Sequence, residues 1–289
     1  MNIRPIVRQQ MVSLQIKKII QAALAEDIGP GDVTTQATVD PRRKGRARAV
    51  AKDDFVVAGI DVFEAVFRGL DKNVKVKKII ADGRFARRGA VIAEVEGRLS
   101  VILQAERVAL NLFQRMCGIA TLAAKYVDAV GETKTKILDT RKTVPGLRVL
   151  DKMAVRLGGG TNHRMGLYDG VLIKDNHIEA SGGIEAAVRA LRKHLRQNLK
   201  IEVETKNLRE VKEALKCGVD MIMLDNMSND TMKKAVRFID GRALTEASGN
   251  VTLERVAGIA KTGVDFISIG ELTHSVRAAD ISLQVKGDR

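Results

Sequence analysis

Cationic side chains stand on both sides of one short apolar run in the second half of the chain. The segment NHRMGLYDGVLIKDNHI (162–178) places His163 and Arg164 before the run 171–173, and Lys174 directly after it. The run is rich in aliphatic residues and reads as a buried strand. Residues at the carboxyl ends of parallel strands converge on one edge of the sheet. Lys174 is therefore expected at that edge, and the loop before the run adds His163 and Arg164.

An earlier run, KILDTRK (136–142), ends in two more cations, Arg141 and Lys142. Two charges about 4 Å apart interact with about 4 kcal/mol at an effective dielectric near 20. Cations gathered in this way repel one another unless an anion lies between them. The pattern predicts a multiply charged, anionic ligand.

The following runs end first in carboxylates and then in small residues. IEVET (201–205) and MIMLDN (221–226) supply Glu204 and Asp225, which suit hydroxyl groups, a divalent metal or a developing positive charge. LTEASG (244–249) and FISIGE (266–271) end in small residues with free backbone N–H groups, where barrels often hold a phosphate. A phosphorylated sugar and a cation-like transition state fit this order. One charged strand end is usually only the start of a solvated loop, but six in succession favour a site.

The spacing of these runs predicts a parallel sheet. The last four begin at 201, 222, 244 and 266, which is 21 or 22 residues apart. Amphipathic patterns lie between them, opening with a possible capping box at Asn207 and each closing near a glycine. No glycine-rich nucleotide motif follows any run. We expect an α/β fold with an incomplete parallel α/β barrel of about six or seven strands, preceded by an α+β sandwich domain.

Composition restricts the function classes. The net charge is +14, and the strongest basic cluster is PRRKGRAR (41–48). Nucleic-acid binding would account for the charge, but aromatic residues are 3% and tryptophan is absent, so bases have few stacking partners. The sequence contains no apolar run that could span a bilayer and two cysteines at no paired spacing. We expect a cytoplasmic protein that binds neither nucleic acid nor membrane.

Several motifs resemble those of the quinolinate phosphoribosyltransferase family. They are EDIGPGDVTT (26–35), ERVALNLFQRMCGIAT (106–121), DTRKTVPGLR (139–148), GGGTNHRMGLYDGVLIKDNHI (158–178), IEVET (201–205), IMLDN (222–226), EASGN (246–250) and DFISIGELTHS (265–275). They occur in the expected order over almost the whole chain. The resemblance implies an N-terminal sandwich domain at 1–108, joined by the tail 279–289, and a catalytic barrel at 109–278.

The resemblance also implies a reaction. Quinolinate would react with 5-phosphoribosyl 1-diphosphate to give nicotinate mononucleotide, diphosphate and CO2, a step of NAD synthesis that requires Mg²⁺. The chain would form a homo-oligomer, a dimer or a hexamer of dimers. No tight protein ligand is expected for Mg²⁺, which would arrive with the substrate and approach Glu204 and Asp225.

The roles that the resemblance implies fall into four groups. The pyridine dicarboxylate pocket would be lined by Arg141, His163, Arg164 and Lys174, with Arg107 donated by a partner subunit. Thr140 and Lys142 would join this lining. The sugar phosphate would lie against Ser248, Gly249 and Gly270, and Asn250, Ser268 and Ile269 would also bind substrate. The catalytic set would be Lys142, Lys174, Glu204 and Asp225. Asp169, Asp175 and His177 are expected to be structural.

Two alternatives stay open at this stage. A paralogue with the same fold could act on another nitrogenous acid. A Schiff-base lyase could use Lys174 as its nucleophile, because that lysine ends a barrel strand.

Overall fold

The computed structural model describes residues 5–195 and 199–287, which form two compact units. The barrel unit consists of Lys125–Lys142 and Gly160–Leu272, and the sandwich unit contains the other described residues. The predicted domains also included residues 1–4, 196–198, 288 and 289, which lie outside the described residues. The predicted boundary between residues 108 and 109 stays a prediction.

The sandwich unit is built on an antiparallel sheet. Its elements are α1 (Pro5–Ile28), α2 (Val33–Thr38), β1 (Lys44–Ala51), β2 (Phe55–Val56), α3 (Ile60–Leu70), β3 (Lys75–Lys78), β4 (Phe85–Ala86), β5 (Val91–Arg98), most of α4 (Leu99–Val130), α5 (Arg148–Leu157) and β12 (Ile281–Gly287). The main sheet has the strand order β12-β1-β5-β3, and β2 pairs with β4. The chain's last strand thus completes the sheet that its first strand begins.

Strand β1 explains the basic cluster of the sequence. Its residues alternate between exposed and buried from Lys44 to Ala47 and beyond, so the small side chains face the core and the basic ones face outward. On the outer face Arg46 lies 3.2 Å from Glu96, and Arg48 lies 3.0 Å from Glu94. The neighbouring strand therefore neutralises part of this cluster, which weakens the case for a nucleic-acid surface.

The barrel unit contains six parallel strands, and the predicted incomplete barrel is confirmed. Its elements are β6 (Lys136–Leu138), β7 (Val171–Ile173), α6 (Asp175–Ser181), α7 (Ile184–His194), β8 (Ile201–Thr205), α8 (Leu208–Lys216), β9 (Met221–Asp225), α9 (Asn229–Ile239), β10 (Leu244–Ser248), α10 (Leu253–Ala260), β11 (Phe266–Ser268) and α11 (Glu271–His274). The strand order is β6-β11-β10-β9-β8-β7. Within the described residues β6 and β7 do not pair with each other, so the sheet stays open.

Local signals set the helix boundaries as the sequence predicted. The side chain of Asn207 accepts the N–H of Glu210 at 3.0 Å and caps α8. Gly218, Gly241 and Gly263 follow α8, α9 and α10 with φ angles of 64°, 69° and 91°. Only glycine adopts this left-handed backbone without strain. None of the described helices combines the length and the apolar character that a membrane crossing requires.

A buried ion pair joins two helices of the sandwich unit. The guanidinium of Arg115 on α4 donates from Nε and Nη2 to the two carboxylate oxygens of Asp151 on α5, both at 2.8 Å. Nη2 also donates to the carbonyl of Thr273 at 3.1 Å. Asp151 is fully buried, so its charge depends on this bidentate partner.

Replacing Arg115 with methionine should destabilise the protein strongly, because it leaves the buried carboxylate of Asp151 without its cation. We expect a loss of about 3–5 kcal/mol in the free energy of unfolding, measured by urea denaturation. Arg42→Met is the matched control: Arg42 and Asp40 form an exposed pair 3.7 Å apart, which should contribute less than about 1 kcal/mol. Equal losses in the two variants would contradict the assignment.

Candidate active site

Asp139 anchors the loop that carries the first predicted site residues of the 162–178 segment. It follows β6, is fully buried, and accepts the main-chain N–H of His163 at 2.9 Å. Its second oxygen accepts the side-chain amide of Asn162. The end of β6 thereby fixes the turn at residues 162 and 163.

The imidazole of His163 lies against two buried carboxylates. Its Nε2 is 3.2 Å from Glu202 Oε2 on β8 and 3.4 Å from Glu246 Oε2 on β10. Its Nδ1 accepts the main-chain N–H of Arg164 at 2.8 Å. Glu202 is 6% exposed and Glu246 is fully buried. We call His163, Glu202 and Glu246 the His–Glu cluster.

Two members of the His–Glu cluster, His163 and Glu202, have raised pKa values. Burial lowers the pKa of His163, but its hydrogen bonds to Glu202 and Glu246 and their negative charges raise that pKa by more, to about 10. Burial and the charge of Glu246 raise the pKa of Glu202 to about 7. A ring nitrogen that accepts the Arg164 N–H cannot itself carry a proton. Nδ1 as an acceptor places a ring proton on Nε2, which faces the two carboxylates.

Two guanidinium groups lie beside this cluster. Burial lowers the pKa of Arg164, and the charge of Arg141 lowers it further. Arg164 Nη1 donates to the carbonyl of Gly170 at 3.0 Å. The two cations therefore lie within electrostatic reach of one another. Forked guanidinium groups suit carboxylates.

A second group of charges surrounds Glu204. Burial raises the pKa of Glu204, and the charges of Asp225 and Asp175 raise it further, while Lys174 and Lys206 act in the opposite direction. These five side chains therefore lie within electrostatic reach of one another at the carboxyl ends of β7, β8 and β9. A divalent cation or a positively charged reacting centre would relieve the repulsion among the carboxylates.

The ionisable residues that were expected to be structural make structural contacts. The N–H of Lys174 donates to His177 Nδ1 at 3.0 Å, which caps α6. Asp169 accepts the N–H groups of Met165 and Gly166, both at 2.8 Å. Asp175 forms an ion pair with Lys206 at 3.2 Å. These contacts stabilise the loops that carry the site.

The loops after β9 and β10 are joined by an amide. Asn226 donates to Asp225 Oδ2 at 2.8 Å and accepts from Asn250 at 3.0 Å. Gly249 has a φ of 90°, and a side chain there would overlap the amide of Asn226. The backbone turn at Gly249 is therefore closely fitted to Asn226.

The end of β11 completes the edge of the sheet. Ser268 is buried, and the N–H of Ile269 donates to the carbonyl of Leu138 on β6 at 2.9 Å. Gly270 follows, and the next residue, Glu271, accepts the hydroxyl of Tyr126 at 2.7 Å. This hydrogen bond anchors the residues expected to border a phosphate.

The barrel unit contains every predicted site residue except Arg107. In the loop after β6, Thr140 Oγ1 accepts the N–H of Lys142 at 3.0 Å, and the Lys142 side chain is exposed. Arg107 is exposed on α4 in the sandwich unit. The binding and catalytic roles of these residues stay predictions.

Glu202 and Glu246 were given no role from the sequence. The available signal was strand periodicity: Glu202 shares a face with Glu204, and Glu246 shares one with Ser248. Each buried glutamate thus lies two residues before a predicted site residue, on the same face of its strand. A carboxylate in that position requires a partner inside the barrel.

An incomplete α/β barrel whose ionisable groups gather at the carboxyl edge of its sheet is the architecture of an enzyme. Two family models match the chain: quinolinate phosphoribosyl transferase, C-terminal domain, over residues 119–284, and the N-terminal domain of the same family over residues 32–117. The chain belongs to the quinolinate phosphoribosyltransferase family.

Individual relatives match over nearly the full length. Quinolinate phosphoribosyltransferase (decarboxylating) 2, mitochondrial, of Nicotiana glauca is 47% identical over 93% of this chain and 82% of its own. The probable nicotinate-nucleotide pyrophosphorylase (carboxylating) of Bacillus subtilis is 44% identical over 95% of both chains. The solved nicotinate-nucleotide pyrophosphorylase from Francisella tularensis has a TM-score of 0.90 at 42% identity, covering 94% of this chain and 96% of that one.

Gly249→Ala should cost more stability than Gly241→Ala, because only Gly249 faces a close neighbour. Both residues have positive φ, 90° and 69°, so each alanine carries a backbone penalty of about 1–2 kcal/mol. Nothing lies within 4 Å of a Cβ added at Gly241, whereas one at Gly249 overlaps Asn226. We expect an additional loss of about 1–2 kcal/mol for Gly249→Ala in urea denaturation. Equal losses would mean that Asn226 moves aside freely.

Proposed function

We propose that this chain transfers a phosphoribosyl group from 5-phosphoribosyl 1-diphosphate to quinolinate with loss of CO2, giving nicotinate mononucleotide and diphosphate in NAD synthesis. This is the reaction of the family to which it belongs, and the chain is accordingly a pentosyltransferase. One observation carries the proposal beyond family membership. Paired guanidinium groups and a separate group of carboxylates occupy the same edge of one sheet, as a dicarboxylate acceptor and a cationic sugar centre require.

Quinolinate would bind on the cationic side of the site. It is a dianion at neutral pH, and its two carboxylates suit the neighbouring guanidinium groups of Arg141 and Arg164. Lys174, at the end of β7, adds a third positive charge. His163 lines the same side through the loop that Asp139 anchors. Burial of Arg164 strengthens its attraction for a carboxylate, because less water competes.

The ribose would bind beside Glu204 and Asp225. As the pyridine nitrogen forms its bond to the anomeric carbon, the bond from that carbon to diphosphate breaks, and positive charge develops on the sugar. The two carboxylates are placed to stabilise that charge. We propose no covalent enzyme intermediate and no obligatory general base. The ring nitrogen is itself the nucleophile. The positive pyridinium nitrogen then stabilises the carbanion that loss of CO2 leaves on the adjacent ring carbon, and a proton from water completes the nicotinate ring.

The same carboxylates fit the Mg²⁺ that the reaction is expected to need. The pKa of Glu204 is raised by burial and by the charges of Asp225 and Asp175, which is the electrostatic environment that a divalent cation stabilises. We propose that Glu204 and Asp225 would hold Mg²⁺ mainly through the substrate. When bound, the ion supplies positive charge that offsets the charge of the leaving diphosphate.

The sugar phosphate would lie against the last two strand ends. Small residues there leave backbone N–H groups accessible to phosphate oxygens. The proposed residues are Ser248, Gly249, Asn250, Ser268, Ile269 and Gly270. The Tyr126–Glu271 hydrogen bond holds the second of these loops, and the Asn226 bridge holds the first.

No observation favours a Schiff-base lyase over this reaction. The side chain of Lys174 is exposed, whereas a Schiff-base lysine is typically activated by desolvation. A cytoplasmic location is likewise proposed, on the basis of the unpaired spacing of its two cysteines.

Replacing Arg141 or Arg164 with alanine should weaken quinolinate binding selectively. Loss of a charge-assisted hydrogen bond of about 1.5–3 kcal/mol corresponds to a rise of about 10- to 100-fold in the KM for quinolinate. The KM for the phosphoribosyl donor should change by less than about threefold. The assay is initial-rate release of CO2 and diphosphate. Arg189→Ala, on the exposed face of α7, is the control. An unchanged quinolinate KM in both site variants would place the dicarboxylate pocket elsewhere.

Arg107 and the oligomer form a separate part of the proposal. We propose that the chain forms a homo-oligomer in which Arg107 of each subunit completes the quinolinate pocket of another. The exposure of Arg107 on α4 makes its guanidinium available to a partner. A long cationic side chain on a helix surface is also a common hot spot of protein interfaces.

Mixing two inactive variants tests this sharing. Glu204→Gln should lower kcat by about 10²–10³, the usual effect of removing one electrostatic stabiliser, and Arg107→Ala should lower quinolinate binding. In an equal co-refolded mixture about half of the dimers contain one copy of each variant. One of the two sites in such a dimer combines a wild-type Glu204 with a wild-type Arg107, so up to about a quarter of all sites should regain activity. Glu213→Gln mixed with Arg107→Ala is the control for subunit exchange. Absence of any recovery, with exchange demonstrated, would exclude donation in trans.

A further inference from the structure

Both ring nitrogens of His163 make contacts inside the protein. Nε2 faces the carboxylates of Glu202 and Glu246 at 3.2 and 3.4 Å. Nδ1 accepts the N–H of Arg164 at 2.8 Å. The ring thus links the interior of the barrel to the backbone of the residue that is proposed to bind a carboxylate of quinolinate.

We propose that Glu202 and Glu246 are positioning residues for the quinolinate pocket: they hold the His163 ring by Nε2, and the ring holds the main chain of Arg164 by Nδ1. This inference rests on the proposed function, in which Arg164 binds quinolinate. Neither glutamate touches the substrate in this account. Their effect reaches it through His163 and Arg164.

Two carboxylates fix the ring better than one would. A single acceptor at Nε2 would allow the imidazole to pivot about that hydrogen bond. Acceptors on two different strands, β8 and β10, confine Nε2 between them, so that Nδ1 points at the Arg164 N–H. Asp139 holds the same turn from the other side through the N–H of His163 at 2.9 Å. The His163–Arg164 segment is therefore fixed at its backbone and at its ring.

The cost of burying the two glutamates supports a role beyond packing. Three of their four carboxylate oxygens receive no well-aligned hydrogen bond among the described residues: Glu202 Oε1 and both oxygens of Glu246, of which Oε2 lies 3.4 Å from His163 Nε2. An apolar side chain would fill this space without desolvating a carboxylate. Burying the two glutamates therefore costs stability, and the cation-capable group that faces both of them is His163 Nε2.

A divalent metal is the competing occupant of this cluster. The ligand atoms of the three side chains lie within 4.8 Å of one another, which is also compatible with a small cation. The hydrogen bond that Nδ1 accepts does not distinguish a bound metal from direct hydrogen bonding to the carboxylates, because a metal on Nε2 would leave that hydrogen bond intact. Geometry favours direct hydrogen bonding, since 3.2 Å is within the range of a hydrogen bond. Metal binding is nevertheless an outcome of the test below.

The first measurement uses the ligand-free full-length protein. Side-chain ¹⁵N–¹H spectra of the four histidines, with His163 assigned from its loss in His163→Asn, report which ring nitrogen carries the proton. We expect a single tautomer with the proton on Nε2 in the wild type. Glu246→Gln and Glu202→Gln should shift the His163 signals or broaden them through ring motion. Glu213→Gln, on α8, should leave them unchanged.

The second measurement is kinetic and uses a double-mutant cycle. Glu246→Gln should raise the KM for quinolinate about tenfold, the effect of one charge-assisted hydrogen bond, while the KM for the phosphoribosyl donor stays within about twofold. In an Arg164→Ala background the same substitution should have little further effect, because it acts through Arg164. A purely structural role would lower both affinities and would add to the effect of Arg164→Ala.

Each outcome decides the question. Unchanged His163 spectra in both glutamine variants, or full additivity with Arg164→Ala, would overturn the proposal. Stoichiometric binding of Zn²⁺ by calorimetry, abolished in Glu246→Gln, would make the cluster a metal site instead. If the wild type releases no CO2 and diphosphate from quinolinate, the proposed function fails. The spectra of the ligand-free protein would then still report whether the glutamates hold the ring.

Discussion

Parallel hydrogen bonding in the six-stranded sheet is the constraint on which the site depends. Each strand enters the sheet in the same direction, so six successive loops leave from one edge. Residues that are 130 positions apart, such as Leu138 and Ser268, become neighbours on adjacent strands for this reason. The sheet is open between β6 and β7 within the described residues.

Like charges gathered at one edge of the sheet repel one another, and neighbouring groups of opposite charge offset part of that repulsion. The guanidinium groups of Arg141 and Arg164 repel one another, and so do the carboxylates around Glu204. Internal partners satisfy some of these groups: Lys206 pairs with Asp175, and the His–Glu cluster shares protons. The proposed dianion and cationic sugar centre would relieve the repulsion within these two groups of like charges.

The positions of the helices and strands were predictable to different degrees. The incomplete barrel followed from runs 21 or 22 residues apart, because strand–helix units of that length bury one face each. Helix α5 was not predicted. Its buried face places Asp151 and Lys152 among the apolar residues Val149, Leu150, Ala154 and Val155, so two charges interrupt the apolar pattern of the segment. The partner that makes Asp151 tolerable, Arg115, lies 36 positions away on another helix, where local pattern cannot find it.

The sequence by itself determined which residues could bind anions, because residue type and position after an apolar run are local properties. It also determined the strand–helix alternation, whose period depends on neighbouring residues along the chain. Only the tertiary structure decided that Glu202 and Glu246 meet at the imidazole of His163. Their distances of 3.2 and 3.4 Å arise from the order and register of strands β8 and β10. Pairing between distant strands fixes such contacts, and no local preference in the sequence encodes them.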